Sequence, residues 1–585
     1  MNNIRTKLLG FLKVNWDVIL LAFVIGSLVI APSLYFRYAS GSFKGVDLFH
    51  GDAEWNYLAQ IQEVDDGHPA LGNIYTQDGK DAPHALQQPF AAMTMAYSGR
   101  VFGLTAPQVN LVAKFVMPFL LTFIVFFLLL FLTEERWMAL LGTGFIMFAP
   151  ATGGLFVPSS WWPMIVHGIF PDADYQFLHY SRSINPQFST FFFYGYFLAL
   201  WKFLFKPKNE KLEGVITAIL LGLAFYTYFF VYSFVAVFTA LLFFWFLFKK
   251  DFVKAKRVVA ISLGGILIGI PTFLNTLQAM HMPNYVLATQ RVGAFLGHGF
   301  IFSRVWWGAF IIFLLLWKKI KNEKMRIFVF LFLVTGFILT NQQVITGHMI
   351  PAPQHYHWYY LSPFIGALFM MLLAFLAKKY LKPKTSLALC VGALLLMVWL
   401  GAFFQKRSYD QYLPMVTDEQ RYADVLTWLN TNTPKDAAVL GNPLFSSLVV
   451  GVTHDNAYYH HGLTDFMVPT ERLRDGYFVY AYLDGLTKPE DVQASFDANR
   501  YIIGSWLYGE YYRQMTGDRG GYSDAIQQKL VTDYKAFLSK DFMTDLKQYP
   551  INYIVWDKQK DPTWDVERFA KDEVYEKDGV AVYKI

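Results

Sequence analysis

The sequence predicts an α-helical polytopic membrane protein of about 11 transmembrane helices, followed by a C-terminal extracytoplasmic α/β (or α+β) domain. Three observations carry this expectation. Hydrophobic residues make up 55% of the 585 and charged residues only 16%, against roughly 25% charged in a soluble domain. The apolar residues gather into repeated runs of near bilayer length. The connectors between those runs alternate between strongly basic and nearly neutral.

The runs fall at roughly 17–36, 111–132, 137–156, 188–205, 214–229, 231–248, 258–277, 301–317, 327–341, 359–377 and 385–404. One alternate set of connectors holds 22 Lys and Arg, from Arg5 and Lys13 through Arg136, Lys206, Arg257 and Lys324 to Lys384. The other set is longer yet holds only eight, among them Arg37, Arg182 and Arg291. Juxtamembrane Lys and Arg favour the cytoplasmic side, so the N-terminus is expected inside and the tail outside. Gly214 to Phe248 must then cross twice in 35 residues, with a break expected in Tyr226–Ser233, where hydroxyls can satisfy freed backbone groups.

The expected organisation is a membrane domain over 1–404, with a long first outer loop at 37–110, and a soluble domain over 405–585. Charge follows the same division. Residues before Gln405 carry a net +13 and the tail a net −7, so the basic balance belongs to helix ends at anionic headgroups and not to nucleic-acid binding. The single cysteine, Cys390, excludes an intrachain disulfide. Within the tail, Arg421–Asn430 has the period of an amphipathic helix, and Ala437–Gly441, Tyr553–Trp556 and Val580–Tyr583 read as strands.

The first outer loop contains Phe49-His-Gly-Asp-Ala-Glu-Trp-Asn-Tyr57. Asp52 and Glu54 stand at a helix start, and Trp55, Leu58, Ile61 and Val64 follow at helical spacing. Such a helix is expected to lie flat on the membrane, presenting its first carboxylates at the lipid surface. Asp52 is either a cap for the helix or a reacting carboxylate, and Glu54 either a first-turn acid favoured by the helix dipole or its helper.

The second outer loop carries His179-Tyr-Ser-Arg182-Ser-Ile-Asn185-Pro186 before an apolar run. Arg182 can grip a phosphate with its planar fork or serve as an interfacial anchor. A third cluster spans Asn341 to Tyr360, uncharged but holding His348, His355 and His357. It suits a diphosphate or sugar better than a metal, for which no nearby Asp, Glu or Cys is available. Arg291 and Lys114 are candidates for the same chamber, with snorkelling as their alternative role.

These parts resemble the GT-C superfamily of integral membrane glycosyltransferases, which use polyprenyl-phosphate-linked sugars. Gly51-Asp52-Ala53-Glu54 carries the resemblance, the family's acidic pair standing here as Asp-x-Glu. The resemblance implies Asp52 as the base and Glu54 as its helper or a metal ligand. Arg182, His348, His355 and His357 match the family only in the general idea of basic donor-phosphate contacts, and Tyr57, Arg291 and Lys114 are further candidate substrate-binding residues. The Trp-Trp-Asp motif of the oligosaccharyltransferase branch is missing from the tail, and Trp161-Trp162 is followed by Pro163, which disfavours protein N-glycosylation.

The expected activity is transfer of a hexosyl or pentosyl group from a polyprenyl-phosphate(-diphosphate) donor to a glycan, lipid or protein acceptor. The reaction is placed on the outer face of the cytoplasmic membrane, with no certain cofactor beyond a possible divalent cation, Mg or Mn. The rival readings are a lipid-linked saccharide flippase and a polysaccharide polymerase or ligase. A flippase calls for ionisable groups deep in the spans and two similar halves, and neither stands out in the sequence.

Overall fold

The computed structural model describes residues 9–49, 52–84, 88–153, 176–350, 352–509 and 522–585, and only the backbone of 52 and 53. The Trp161-Trp162-Pro163 stretch lies outside the described residues. The membrane helices and the first loop run in chain order as α1 (Trp16–Ala39), α2 (Asp52–Asp65), α3 (Phe90–Phe102), α4 (Ala106–Thr133), α5 (Arg136–Met147) and α6 (Ser183–Phe205). They continue as α7 (Glu210–Ala224), α8 (Phe229–Phe248), α9 (Phe252–Met280), α10 (Tyr285–Arg291) and α11 (Arg304–Leu316). The last three are α12 (Glu323–Asn341), α13 (Tyr356–Tyr380) and α14 (Pro383–Glu419).

Each of the eleven expected apolar runs falls on one of these helices. Among the described residues eight helices are long and apolar enough to cross a membrane, and the chain is a multi-pass membrane protein. The other three expected spans fall on shorter helices, α5, α7 and α11, of 12, 15 and 13 residues. Local chemistry fixes several helix starts. Gln108 accepts from the Thr105 backbone N–H at 3.0 Å before α4, the Asp251 side chain accepts from Lys254 N–H at 3.1 Å before α9, and Asn322 caps α12. Each satisfies a backbone donor that the first helical turn leaves without a partner.

The helix expected to break between Gly214 and Phe248 does so at 225–228. There Tyr226 Oη donates to Ile268 O at 2.6 Å and Thr227 Oγ1 to Ala224 O at 2.7 Å. Close packing of α7 on α9 goes through glycines: a Cβ on Gly222 would meet Ile268, and one on Gly265 would meet Leu221. Small residues at such a crossing let backbones approach, which is the main source of helix association in lipid.

The basic connectors gather at one end of the bundle. Arg136 Nε reaches Asp17 at 2.7 Å, Lys324 reaches Glu134 at 3.0 Å, Lys378 reaches Glu135 at 2.6 Å and Arg257 reaches Glu210 at 2.7 Å. Asn322 also donates to Leu132 O at 2.7 Å. Alternation of the helices therefore puts loop 37–110, His179–Arg182 and the histidine-bearing connector together at the opposite end, as the charge pattern requires.

Helix α14 runs without interruption past residue 404 into the tail. The tail then forms α15 (Ala423–Asn432), β1 (Ala438–Leu440), α16 (Pro443–Val452) and β2 (Asn456–Ala457), a run of helices between Thr470 and Leu546, and β3 (Tyr553–Asp557), β4 (Asp572–Lys577) and β5 (Val580–Lys584). The strands make one mixed sheet of order β2-β1-β3-β5-β4, with β1 parallel to β2 and β3, and β5 antiparallel to β3 and β4.

One expectation is corrected here. The apolar face of α2 is buried, but the tail covers it, and it does not rest on lipid. A Cβ on Gly451 of α16 would stand 3.2 Å from Leu58 and 3.4 Å from Trp55. Trp55, Leu58, Ile61 and Val64 join one hydrophobic core with Val439, Leu448 and Ile554. Amphipathic spacing shows that a face is buried without saying by what. Further contacts fasten the same junction: Lys80 to Asp436 at 3.5 Å, Gln420 to the Lys44 N–H at 2.8 Å, and Tyr75 stacked on His460 at 3.9 Å.

Candidate active site

Helix α2 brings two polar groups to the bundle on successive turns. Glu54 is fully buried, and its Oε1 lies 2.7 Å from Lys114 Nζ and 2.6 Å from Asn110 Nδ2. Asn110 and Lys114 are four residues apart on α4 and so share one helix face. Lys114 also approaches Ser33 Oγ on α1 and Leu48 O, each at 3.3 Å. Lys114 is thus not a snorkelling residue; its ammonium is enclosed and paired. Burial pushes the neighbouring Asp47 carboxyl up, while Arg37, 3.6 Å away, and Lys114 pull it down. Asp52 opens α2, but its side chain lies outside the described residues.

One turn on, Tyr57 connects this buried pair to the second cluster. Its hydroxyl meets the Asn185 side chain and lies in the field of Arg182, and burial pushes it up to about 12. The Arg182 guanidinium donates to the Tyr359 hydroxyl, and its carbon stands 5.7 Å from that ring's centre. His179 and His355 each pack 5.3 Å from the Tyr359 ring. Tyr228, at the start of α8, meets His355 Nδ1 at 2.7 Å, and His357 Nε2 meets Ser362 Oγ at 2.9 Å.

The charges in this cluster are unequal. Burial, with the field of Arg182, pushes His179 down to about 3 and His355 down to about 4. Both rings are therefore neutral at physiological pH, and Arg182 is the fixed cation among them. A phosphate docked there would meet one planar, doubly donating charge with neutral hydrogen-bonding rings around it.

Arg182, His179, His355, His357 and Tyr359 line one end of a cavity of about 1740 Å³. The middle of its wall is mainly apolar, from α11, α13 and Met138 and Phe145 of α5, and its other end carries Lys319, Lys321, Lys378 and Lys379 with Glu135. Cationic head chemistry at the end of a long apolar trough suits a ligand with an anionic head and a hydrocarbon tail.

The structure thus brings Glu54, Lys114, Tyr57, Arg182, His355 and His357 to one region and leaves two expected residues elsewhere. His348 is exposed, and its backbone bridges to Leu296. Arg291 is buried against the tail, donating to Val468 O at 2.7 Å and to Thr470 Oγ1 at 2.8 Å. It acts there as a strut between α10 and the soluble domain. Sequence reasoning passed over His179, Asn185, Tyr228 and Tyr359 as site residues. Each had a local signal: His179 and Asn185 flank Arg182 in its motif, Tyr359 lies in the histidine-bearing cluster, and Tyr228 stands in the hydroxyl-rich helix break. Among the described residues no group of three His, Cys, Asp or Glu side chains comes together to hold a metal.

No family model matches the chain, and no curated protein matches it. Among solved structures it is similar to the oligosaccharyltransferase of Archaeoglobus fulgidus in its apo form, at 13% identity and a TM-score of 0.44, over 97% of this chain and 74% of that one. It is also similar to ArnT from Cupriavidus metallidurans bound to undecaprenyl phosphate, at 11% identity and a TM-score of 0.46, over 98% of both chains. At these scores the likeness carries no functional weight.

Proposed function

We propose that this chain is a GT-C-type glycosyltransferase that takes a sugar from a polyprenyl-phosphate(-diphosphate) donor and passes it to an acceptor hydroxyl on the extracytoplasmic face. The observation that carries the reading is the meeting of two features: an apolar cavity ends on Arg182, and Arg182 faces Tyr57 on the helix that Asp52 opens. The positive-inside rule assigns the paired basic end to the cytoplasm and the site to the outer face.

Asp52 takes the proton as the acceptor attacks the anomeric carbon, the general-base role of a carboxylate. The bond from that carbon to the phosphate oxygen breaks, and the electron pair leaves with the lipid phosphate. Arg182 stabilises the developing charge from a prepared position, aided by Tyr57 and the neutral histidines. Glu54 stays with Lys114 and holds the first turn of α2 in place. Glu54 Oε1 is held by the Lys114 ammonium and the Asn110 amide.

The soluble tail covers the apolar face of α2. The test is incubation of purified protein in nanodiscs with a panel of polyprenyl-phosphate sugars and candidate acceptors, followed by mass spectrometry. Free lipid phosphate and a glycosylated product appearing together support the reading. Intact donor with every member of the panel removes it.

A further inference from the structure

Helix α2 ends on a charged seam with the soluble tail that the transfer reaction does not use. Gly67, at φ +101°, turns the chain after α2, and the His68 backbone N–H donates back to Glu63 O at 3.0 Å. The His68 ring is thereby set between two carboxylates. Its Nδ1 lies 3.0 Å from Asp81 Oδ1 on the first outer loop, and its Nε2 lies 3.4 Å from Asp436 Oδ2 on the tail. A carboxylate only accepts and a neutral imidazole has a single N–H, so both contacts are hydrogen bonds only when the ring carries two protons and a positive charge. The other charges of the seam have partners of their own. Lys80 of the loop meets Glu63 of α2 at 2.6 Å and Asp436 Oδ1 at 3.5 Å. Lys435 of the tail donates to the Asp66 carbonyl, and the Asp66 carboxylate accepts from Gln62 at 3.1 Å. Arg100 of α3 holds Asp65 at 2.8 Å, and Arg472 of the tail meets Asp78 at 3.4 Å. Behind the tail's turn, Asp455 accepts from Thr433 at 2.9 Å, with His454 3.7 Å away.

We infer that His68 is a pH-operated latch on the outer face: charged, it clamps the tail turn 433–436 to loop residues 77–82, and on losing a proton it releases that seam. In the neutral ring one nitrogen presents a lone pair to a carboxylate oxygen. The acids Glu63, Asp66, Asp81 and Asp436 then face two ammonium groups, Lys80 and Lys435, in place of three cations. A polar cavity of about 440 Å³ borders His68, Gln77, Lys80, Asp81 and Asp436, so the two sides have room to part. The opening stays local, because Trp55 and Leu58 remain packed under α16 and Tyr75 remains stacked on His460. Burial disfavours the charged ring, but the bonds to Asp81 and Asp436 and the field of Glu63 outweigh it and hold His68 above its usual value. A group raised in this way contributes fully below its free value of about 6.5 and loses that contribution as pH rises through the higher value of the closed seam.

The test is hydrogen–deuterium exchange on the whole protein in nanodiscs at pH 5.5 and pH 8.5, read as protection factors so that the intrinsic effect of pH on exchange is removed. The reporting peptides cover residues 77–84 and 433–438. Protection in both is expected to fall by about threefold or more from the lower to the higher pH, the scale of partly exposed ion pairs. His68→Gln keeps an N–H donor but no charge and should show low protection at both pH values. His68→Arg keeps a permanent cation and should show high protection at both. Protection in the parent that does not change with pH overturns the inference. So does a fall of the parental size in His68→Gln, which would assign the response to Glu63 or Asp455, or a fall of that size in His68→Arg. None of these readouts depends on a donor or on sugar transfer, so the latch stands or falls apart from the proposed reaction.

Discussion

Lys114 Nζ lies 2.7 Å from Glu54 Oε1, and both side chains are shut away from solvent. The two residues belong to different elements, the first turn of α2 and the upper part of α4, so their pairing fixes the height and rotation of the helix that begins with Asp52. Removing one partner strands a buried charge, which costs about 3–5 kcal/mol, whereas replacing both with neutral groups of similar size is far less costly. Glu54→Gln and Lys114→Met are each expected to lower the melting temperature markedly, and the double variant to recover most of the loss. A double variant as unstable as the sum of the two singles would show that the residues do not act as a pair.

Arg182 is expected to act through its shape as well as its charge. Arg182→Lys keeps the cation but loses the fork that serves both Tyr359 and a phosphate. Loss of one charged hydrogen bond is worth about 1.5–3 kcal/mol, so donor affinity should fall roughly tenfold to a hundredfold. Isothermal titration with a lipid phosphate reads this directly, and unchanged affinity would return Arg182 to the role of an interfacial anchor.

The soluble tail should carry a pH signature from Asp455. This carboxyl is buried beside Thr433 Oγ1, 2.9 Å away, and burial pushes it up to about 7. The unfolded value is about 3.9, so between the two the folded state binds more protons, and this group's contribution to stability declines as pH rises from about 4 through 7. Asp455→Asn removes that decline. Melting curves at pH 5 and pH 8 should show the variant gaining on the parent at the higher pH; a variant-minus-parent difference in melting temperature that falls or stays constant from pH 5 to pH 8 would contradict the assignment.

Two glycines of the groove wall should respond in opposite ways. A Cβ on Gly366 would overlap the Phe145 ring, whereas one on Gly308 would meet nothing within 4 Å. Gly366→Leu is expected to abolish the close approach of α5 and α13 and to reduce the yield of folded protein. Gly308→Leu should fold normally and narrow the trough. Size-exclusion profiles and thermal melts of the two variants distinguish these outcomes.

The membrane part was legible because lipid imposes a strong rule: backbone polar groups must be satisfied within helices, so apolar runs and the connectors between them show in composition alone. The break after Ala224 and the gathering of Arg136, Arg257 and Lys324 at one end follow from that rule. In the tail, the strand periods at Ala438, Tyr553 and Val580 were visible. Strand β2 has only two residues, and β4 is exposed at nearly every position, so neither carries an alternating pattern.

The site was legible in its residue types and less so in its partners. Glu54 and Lys114 are 60 residues apart in the chain, and no local period announces their pairing. Trp55 and Leu58 have the spacing of a surface helix, yet α16, almost 400 residues later, covers them. His355 and His357 sit at the groove while His348, only seven residues before His355, faces away, because the turn at Gly347 and the pairing with Leu296 hold it there.

The most direct measurement compares the parent with Asp52→Asn in nanodiscs, scoring sugar transfer from a polyprenyl-phosphate donor alongside thermal stability. Asn caps a helix as well as Asp does, so stability should be retained while transfer is lost. Transfer at the parental rate in the Asn variant would contradict the account, since no carboxylate at that position would then be needed to accept the proton.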